Sequence, residues 1–145
     1  MNAVTADSNI LISAFLRGGK PLELLELARA GHVELAVSDA ILDETARVLT
    51  TKFSVPAEAV QEFRQQILGF AKHVTPRETL DEVRGDTMDN RILECAVAAD
   101  SAVIVSGDHH VLSLGTFREI KIQRIAEFLS GLIARGVGGS HEPPK

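Results

Sequence analysis

Val4-Thr5-Ala6-Asp7-Ser8-Asn9-Ile10-Leu11-Ile12 decides the fold class, because an apolar stretch of strand length meets a carboxylate and two small polar residues before a second apolar run. Residues 3–7 read as a buried strand ending at Asp7, and Ile10 to Leu16 continue as a short helix. Arg17-Gly18-Gly19-Lys20 breaks the pattern. Pro21 suits a first helical position, Leu22, Leu24, Leu25, Leu27 and Ala28 supply apolar contacts, and Gly31 can close the helix in the left-handed region. A strand followed by helix is the first half of a crossover to a parallel neighbour.

Outward from this unit the alternation repeats. Val33 to Val37 is a second strand, and Ser38 or Asp39 can cap a helix through Ile41, Leu42, Thr45, Val48 and Leu49. Pro56 opens another, with Val60, Phe63, Ile67, Leu68 and Phe70 at helical spacing. His73 to Pro76 reads as a short strand, and the polar stretch from Arg77 to Thr87 as a long loop. A small-residue helix then carries Ile92, Leu93, Cys95, Ala96, Val97 and Ala99. Ala102-Val103-Ile104-Val105-Ser106 is the clearest buried strand, with Gly107-Asp108 directly after it. Lys121 to Arg124 offers a last strand before a closing helix with Ile125, Phe128, Leu129 and Leu132. Such alternation predicts an α/β fold, a mostly parallel central sheet with helices on both faces in three α/β/α layers. One domain over residues 1–135 is expected, with a disordered Gly- and Pro-containing tail over 136–145.

Composition narrows the class. The chain has 145 residues, 45% of them hydrophobic, which is enough for one core and too little for two domains. Trp and Tyr are missing, so Leu, Ile, Val, Ala and six Phe build that core. A single cysteine cannot form an internal disulfide, and neither a leader pattern nor an apolar span of membrane length is visible. A soluble cytoplasmic protein with no membrane contact is the expectation. The net charge of −5 argues against a non-specific nucleic-acid coat. It leaves room for a nuclease whose carboxylates hold a metal.

Open α/β sheets bind ligands beyond the carboxyl ends of their strands, where strand order reverses. Asp7 ends one strand and Asp108 follows another; if those strands are central neighbours, both acids face one crevice. Asp89 starts the helix that feeds the later strand, and Glu44 lies on the first two turns of the helix after the second strand. Four acids in one cleft repel unless cations neutralise them, so the constellation predicts a hard divalent cation, Mg2+ or Mn2+. Such a cation can clamp a phosphodiester and lower the pKa of an attacking water, which makes phosphodiester hydrolysis the natural reaction.

Four segments in order strongly resemble the PIN-domain family of metal-dependent ribonucleases, in particular its toxin-type, VapC-like members. They are Asp7-Ser8-Asn9-Ile10-Leu11-Ile12-Ser13-Ala14, Ser38-Asp39-Ala40-Ile41-Leu42-Asp43-Glu44 with Val48-Leu49, Asp86-Thr87-Met88-Asp89-Asn90-Arg91-Ile92-Leu93-Glu94, and Val105-Ser106-Gly107-Asp108. The resemblance implies that Asp7, Glu44, Asp89 and Asp108 are the catalytic acids and metal ligands, with Asn9 and Ser106 in support. It also implies endonucleolytic cleavage of RNA, a cognate antitoxin as partner, and homodimer contacts. Two positions depart from the pattern: Thr87-Met88 stands where many relatives carry Pro and a polar residue, and His109-His110 where Lys or Arg is common.

Plainer roles compete for the same residues. Asp7, Asp86 and Asp89 can each cap a helix, and for Asp89 capping and metal binding are compatible. Asp43 rivals Glu44, but the two point about 100° apart on a helix; the family register, five residues before Leu49, selects Glu44. Adjacent histidines make no ligand set without other donors. Cys95 reads as a small buried helical residue. Gly18-Gly19-Lys20 lacks the rest of a phosphate loop, though Arg17 or Lys20 in a nearby loop can reach an RNA phosphate. A binding module of the same fold, with weak or no nuclease activity, is the competing function. Phosphoryl transfer through an aspartyl intermediate is a third class, disfavoured by Asn9 where a second acid would be wanted.

Overall fold

Strands and helices alternate along the chain as the apolar pattern predicts, in a computed structural model that describes residues 3–83 and 87–136. The first strand, β1 (Ala3–Ala6), leads through Asp7 into helix α1 (Ser8–Leu16), and α2 (Gly19–Arg29) follows before β2 (Glu34–Val37). Helices α3 (Asp39–Thr51) and α4 (Ala57–Phe70) precede β3 (Lys72–His73). Helix α5 (Thr87–Ala99) feeds β4 (Ser101–Val105), and α6 (His109–Leu112), β5 (Thr116–Phe117), β6 (Ile120–Gln123) and α7 (Ile125–Ala134) complete the order.

The strands form one sheet in the order β3-β2-β1-β4-β6-β5. All pairings are parallel except the edge hairpin β5–β6. From β1 the chain winds outward to β2 and β3, then returns to β4 on the other side of β1 and continues to β6. Strand order therefore reverses between β1 and β4, the crevice that α/β sheets use for ligands. Both strands are central, so every residue of β1 is buried, and Ile104 and Val105 of β4 are fully so. Helices on both faces make the three-layer α/β/α architecture, around one large core that includes Leu11, Leu24, Leu35, Ile41, Leu93 and Ile104. Buried polar groups within the sheet are paired: Thr5 Oγ1 and Ser101 Oγ lie 2.8 Å apart between β1 and β4.

Local chemistry fixes the helix ends. Ser38 caps α3 by accepting from the Ile41 N–H. Helix α2 closes through Gly31, whose φ of +88° lets His32 N–H reach Leu27 O at 2.9 Å and Gly31 N–H reach Ala28 O at 3.1 Å. Four details depart from the sequence reading. Helix α2 starts at Gly19, so Pro21 is its third residue and Lys20 is helical. Strand β3 is shorter and earlier than expected. The β5–β6 hairpin and α6 were not foreseen. Residues 77–83 form an irregular connection, yet Leu80 and Val83 are buried. Asp86 as a cap, and the tail beyond 136, lie outside the described residues.

Candidate metal centre

Asp7 leaves β1 with its backbone N–H still bonded to Val105 O of β4 at 3.1 Å, so its side chain emerges at the carboxyl end of both central strands. The capping role is visible there. Asp7 is the N-cap of α1, its Oδ1 accepting from the Ile10 N–H at 3.0 Å, while Oδ2 accepts from the Ser106 hydroxyl at 2.6 Å. Ser106 Oγ in turn accepts the Asp108 N–H at 3.0 Å. One serine, fully buried, thus joins the acids that follow β1 and β4.

Only 2% of Asp7 is exposed. That burial raises its pKa above the ordinary 3.8, and the nearby Asp108 charge adds to the rise; hydrogen bonds from Ser106 and the backbone of Ile10 and Gly107 oppose it. Asp7 forms no ion pair among the described residues. The Ile10 and Gly107 N–H groups and the Ser106 hydroxyl donate to it, and a carboxylate offers about four acceptor sites, which leaves capacity for a cation. Its surroundings thus hold a carboxylate ready for a positive charge that the described side chains do not supply.

The other expected acids are placed less uniformly. Asp89 is buried in the first turn of α5, a helix that packs across β1, β2 and β4. Since α5 runs directly into the start of β4, its own start points back toward the carboxyl end of the sheet. Cys95, halfway along, lies 4.0 Å from Thr5 Oγ1, and its burial pushes the thiol up to about 11, an inert packing residue. Glu44 sits on α3, which packs on both α1 and α5, but its carboxylate is held by Arg47 through contacts of 2.9–3.1 Å. Asp43 is turned toward α4, where Arg64 binds it at 2.8 Å, which leaves Glu44 as the acid on a different face. Asn9 is exposed on α1, two residues beyond Asp7. The geometry directly links Asp7, Ser106 and Asp108; it does not join Glu44 to them.

Three residues of the third family segment, assigned no individual role by the sequence reading, brace α5 against the preceding connection. Asn90 Oδ1 accepts the N–H groups of Glu82 and Val83 at 2.7 and 2.8 Å, and its Nδ2 donates to Val83 O at 2.8 Å. Glu94 accepts the Leu80 N–H at 2.7 Å and pairs with Arg91, which also donates to Leu80 O. The available signal was an Arg and a Glu three residues apart on a helix whose remainder beyond Asn90 is small and apolar.

A buried acid and a second carboxylate at the switch point of a parallel sheet define an open α/β protein with a ligand crevice beyond its strand ends. The chain belongs to the PIN-domain family: the family model described as PIN domain matches residues 3–110, from the start of β1 into α6. PIN domains have a nuclease-type fold and generally act as metal-dependent nucleases. Comparison with curated proteins gives no match. The carboxylates of Asp7 and Asp108 offer oxygen donors, a type that fits a hard divalent cation retaining several waters. Among the described residues, no helix is long and apolar enough to cross a membrane.

Replacing Ser106 by Ala should cost about 1.5–3 kcal/mol, because a buried carboxylate loses a donor and the Asp108 N–H loses its acceptor. Urea unfolding at neutral pH reads this. The same change removes an interaction that lowers the Asp7 pKa, so the acid limb of any Asp7-dependent activity should move to higher pH.

Proposed function

We propose that the chain is a metal-dependent endoribonuclease, the toxin component of a toxin-antitoxin pair, acting in the cytoplasm. The observation that carries this reading is the hydrogen-bonded line from Asp108 N–H through Ser106 to Asp7 at the β1–β4 crevice. Asp7, Asp89 and Asp108, with Glu44 after release from Arg47, would hold Mg2+ or Mn2+. The cation, when bound, stabilises charge on the phosphodiester and acidifies the attacking water. Ser106 fixes the Asp7 carboxylate by donating to Oδ2, and the backbone N–H of Ile10 fixes Oδ1. The carboxylate cluster orients the water and takes up its proton. Partners on this reading are an RNA substrate, a cognate antitoxin and a second copy of the chain. Among the described residues, the exposed Leu16, Phe53 and Ile133 are large apolar side chains available for protein contacts.

A specific observation favours a second reading, a catalytically weak binding module: the bidentate Arg47 contact occupies Glu44. One experiment separates the two. The purified chain is incubated with a mixed cellular RNA pool in Mn2+ or Mg2+, with and without excess chelator, and fragment ends are mapped. Discrete metal-dependent cuts are expected. Full cleavage in chelator would sink the metal mechanism, while no cleavage together with no saturable Mn2+ binding at neutral pH would favour the binding module.

A further inference from the structure

Adjacent residues on a helix diverge by about 100°, yet the rings of His109 and His110 stack with centroids 4.1 Å apart and planes inclined by 36°. Beside them is the donor that the sequence pair lacked: His110 Nδ1 lies 3.6 Å from Asp108 Oδ1, and one ligand atom from each of Asp108, His109 and His110 falls within 4.8 Å of the others. Asp108 is fixed in place, its Oδ1 accepting from the backbone of His110 and Val111. Its Oδ2 accepts no hydrogen bond from the described residues. Both histidines are exposed, so a cation reaches them from solvent.

Metal–nitrogen and metal–oxygen bonds of about 2.0–2.2 Å place tetrahedral ligands roughly 3.4 Å apart. Closing the three donors onto one ion therefore needs side-chain rotations of an ångström or so, and water completes the shell. Imidazole suits Zn2+ and its neighbours and is a poor ligand for Mg2+. We propose that Asp108, His109 and His110 form a second cation site, selective for Zn2+-like ions, that competes with the crevice cation for Asp108. The competition rests on the reading of Asp108 as a crevice ligand; the binding itself does not.

The untagged full chain is titrated calorimetrically with Zn2+ alone, as wild type, as the His109→Ala/His110→Ala double variant and as Asp7→Asn. Expected are saturable binding by wild type and Asp7→Asn, and at least about tenfold weaker binding by the double variant, whose melting curve stays unchanged. In NMR spectra Zn2+ should shift the ring signals of His109 and His110 and leave those of His32 and His73 in place. Equal Zn2+ affinity in the double variant, or shifts confined to His32 and His73, would overturn the site. Zn2+ should also weaken Mn2+ binding by wild type and leave that of the double variant unaffected. An Mn2+ affinity indifferent to Zn2+ in wild type would overturn the competition and leave the histidine site standing. Absence of ribonuclease activity would bear on neither Zn2+ result.

Discussion

Asp7→Asn should abolish metal-dependent RNA cleavage, by at least about a thousandfold, and at the same time make the protein more stable. The two effects have one cause. A carboxylate only 2% exposed carries its charge against burial and against Asp108. Asn keeps an acceptor for the Ile10 N–H, and its amide can donate to Ser106 Oγ, so the cap and the link survive without the charge. A gain of about 1 kcal/mol is typical for relief of this kind, or about 2–4 °C in melting temperature at this chain length. The pH dependence follows from the direction of the shift. With a folded pKa above the unfolded one, protonated Asp7 favours the folded state, and that contribution is lost as pH rises through the folded pKa. The advantage of Asn should therefore be present at neutral pH and shrink toward zero below the ordinary value of 3.8. Saturating Mn2+ should reverse the order, because binding to the folded state stabilises wild type by mass action. An Asn variant that melts below wild type without metal, or that still gains from Mn2+ as wild type does, would remove Asp7 from the centre of the site.

Residues whose positions follow from chain direction were legible in the sequence. Asp7 and Asp108 end apolar runs long enough to be central strands, and centrality alone put them in one crevice. Ser106 is a small polar residue at the end of such a run, and its bond to Asp7 is a consequence of strand pairing. Glu44 was harder, since sequence fixes the face of a helix but not the local partner, and Arg47 three residues on captures it. The β5–β6 hairpin escaped because its turn residues, Arg118 and Glu119, adopt φ of 49° and 70° without the Gly or Asn that normally advertises such a turn. Helix α6 is four residues long and starts on a cap already assigned another role. The connection over 77–83 looked like solvated loop because most of its residues are polar; its order comes from side chains on α5, and tertiary partners of that kind leave little periodic trace.

That bracing carries the largest expected loss of stability. Asn90→Ala removes an acceptor for two backbone N–H groups and a donor to Val83 O at once. Val83 is buried, so water cannot fully replace the amide, and the cost should be about 2–3 kcal/mol, or roughly 5–10 °C. Asn90 is the only side chain type that does both jobs at this length, since Asp lacks the donor and Leu lacks both functions. Asn90→Asp should therefore fall between wild type and Ala, keeping the two N–H contacts and placing a second charge beside Asp89. The damage should be local. Amide hydrogen exchange at Glu82 and Val83 should accelerate strongly, Leu80 less so because Glu94 and Arg91 still hold it, and the amides of β1 and β4 should keep their protection relative to global unfolding. Loosening this connection frees the first turn of α5, which carries Asp89, so Mn2+ affinity should fall although no proposed ligand has been changed. If exchange at Glu82 and Val83 is unaltered while the melting temperature drops, Asn90 acts through the helix itself and the bracing has no part in positioning Asp89.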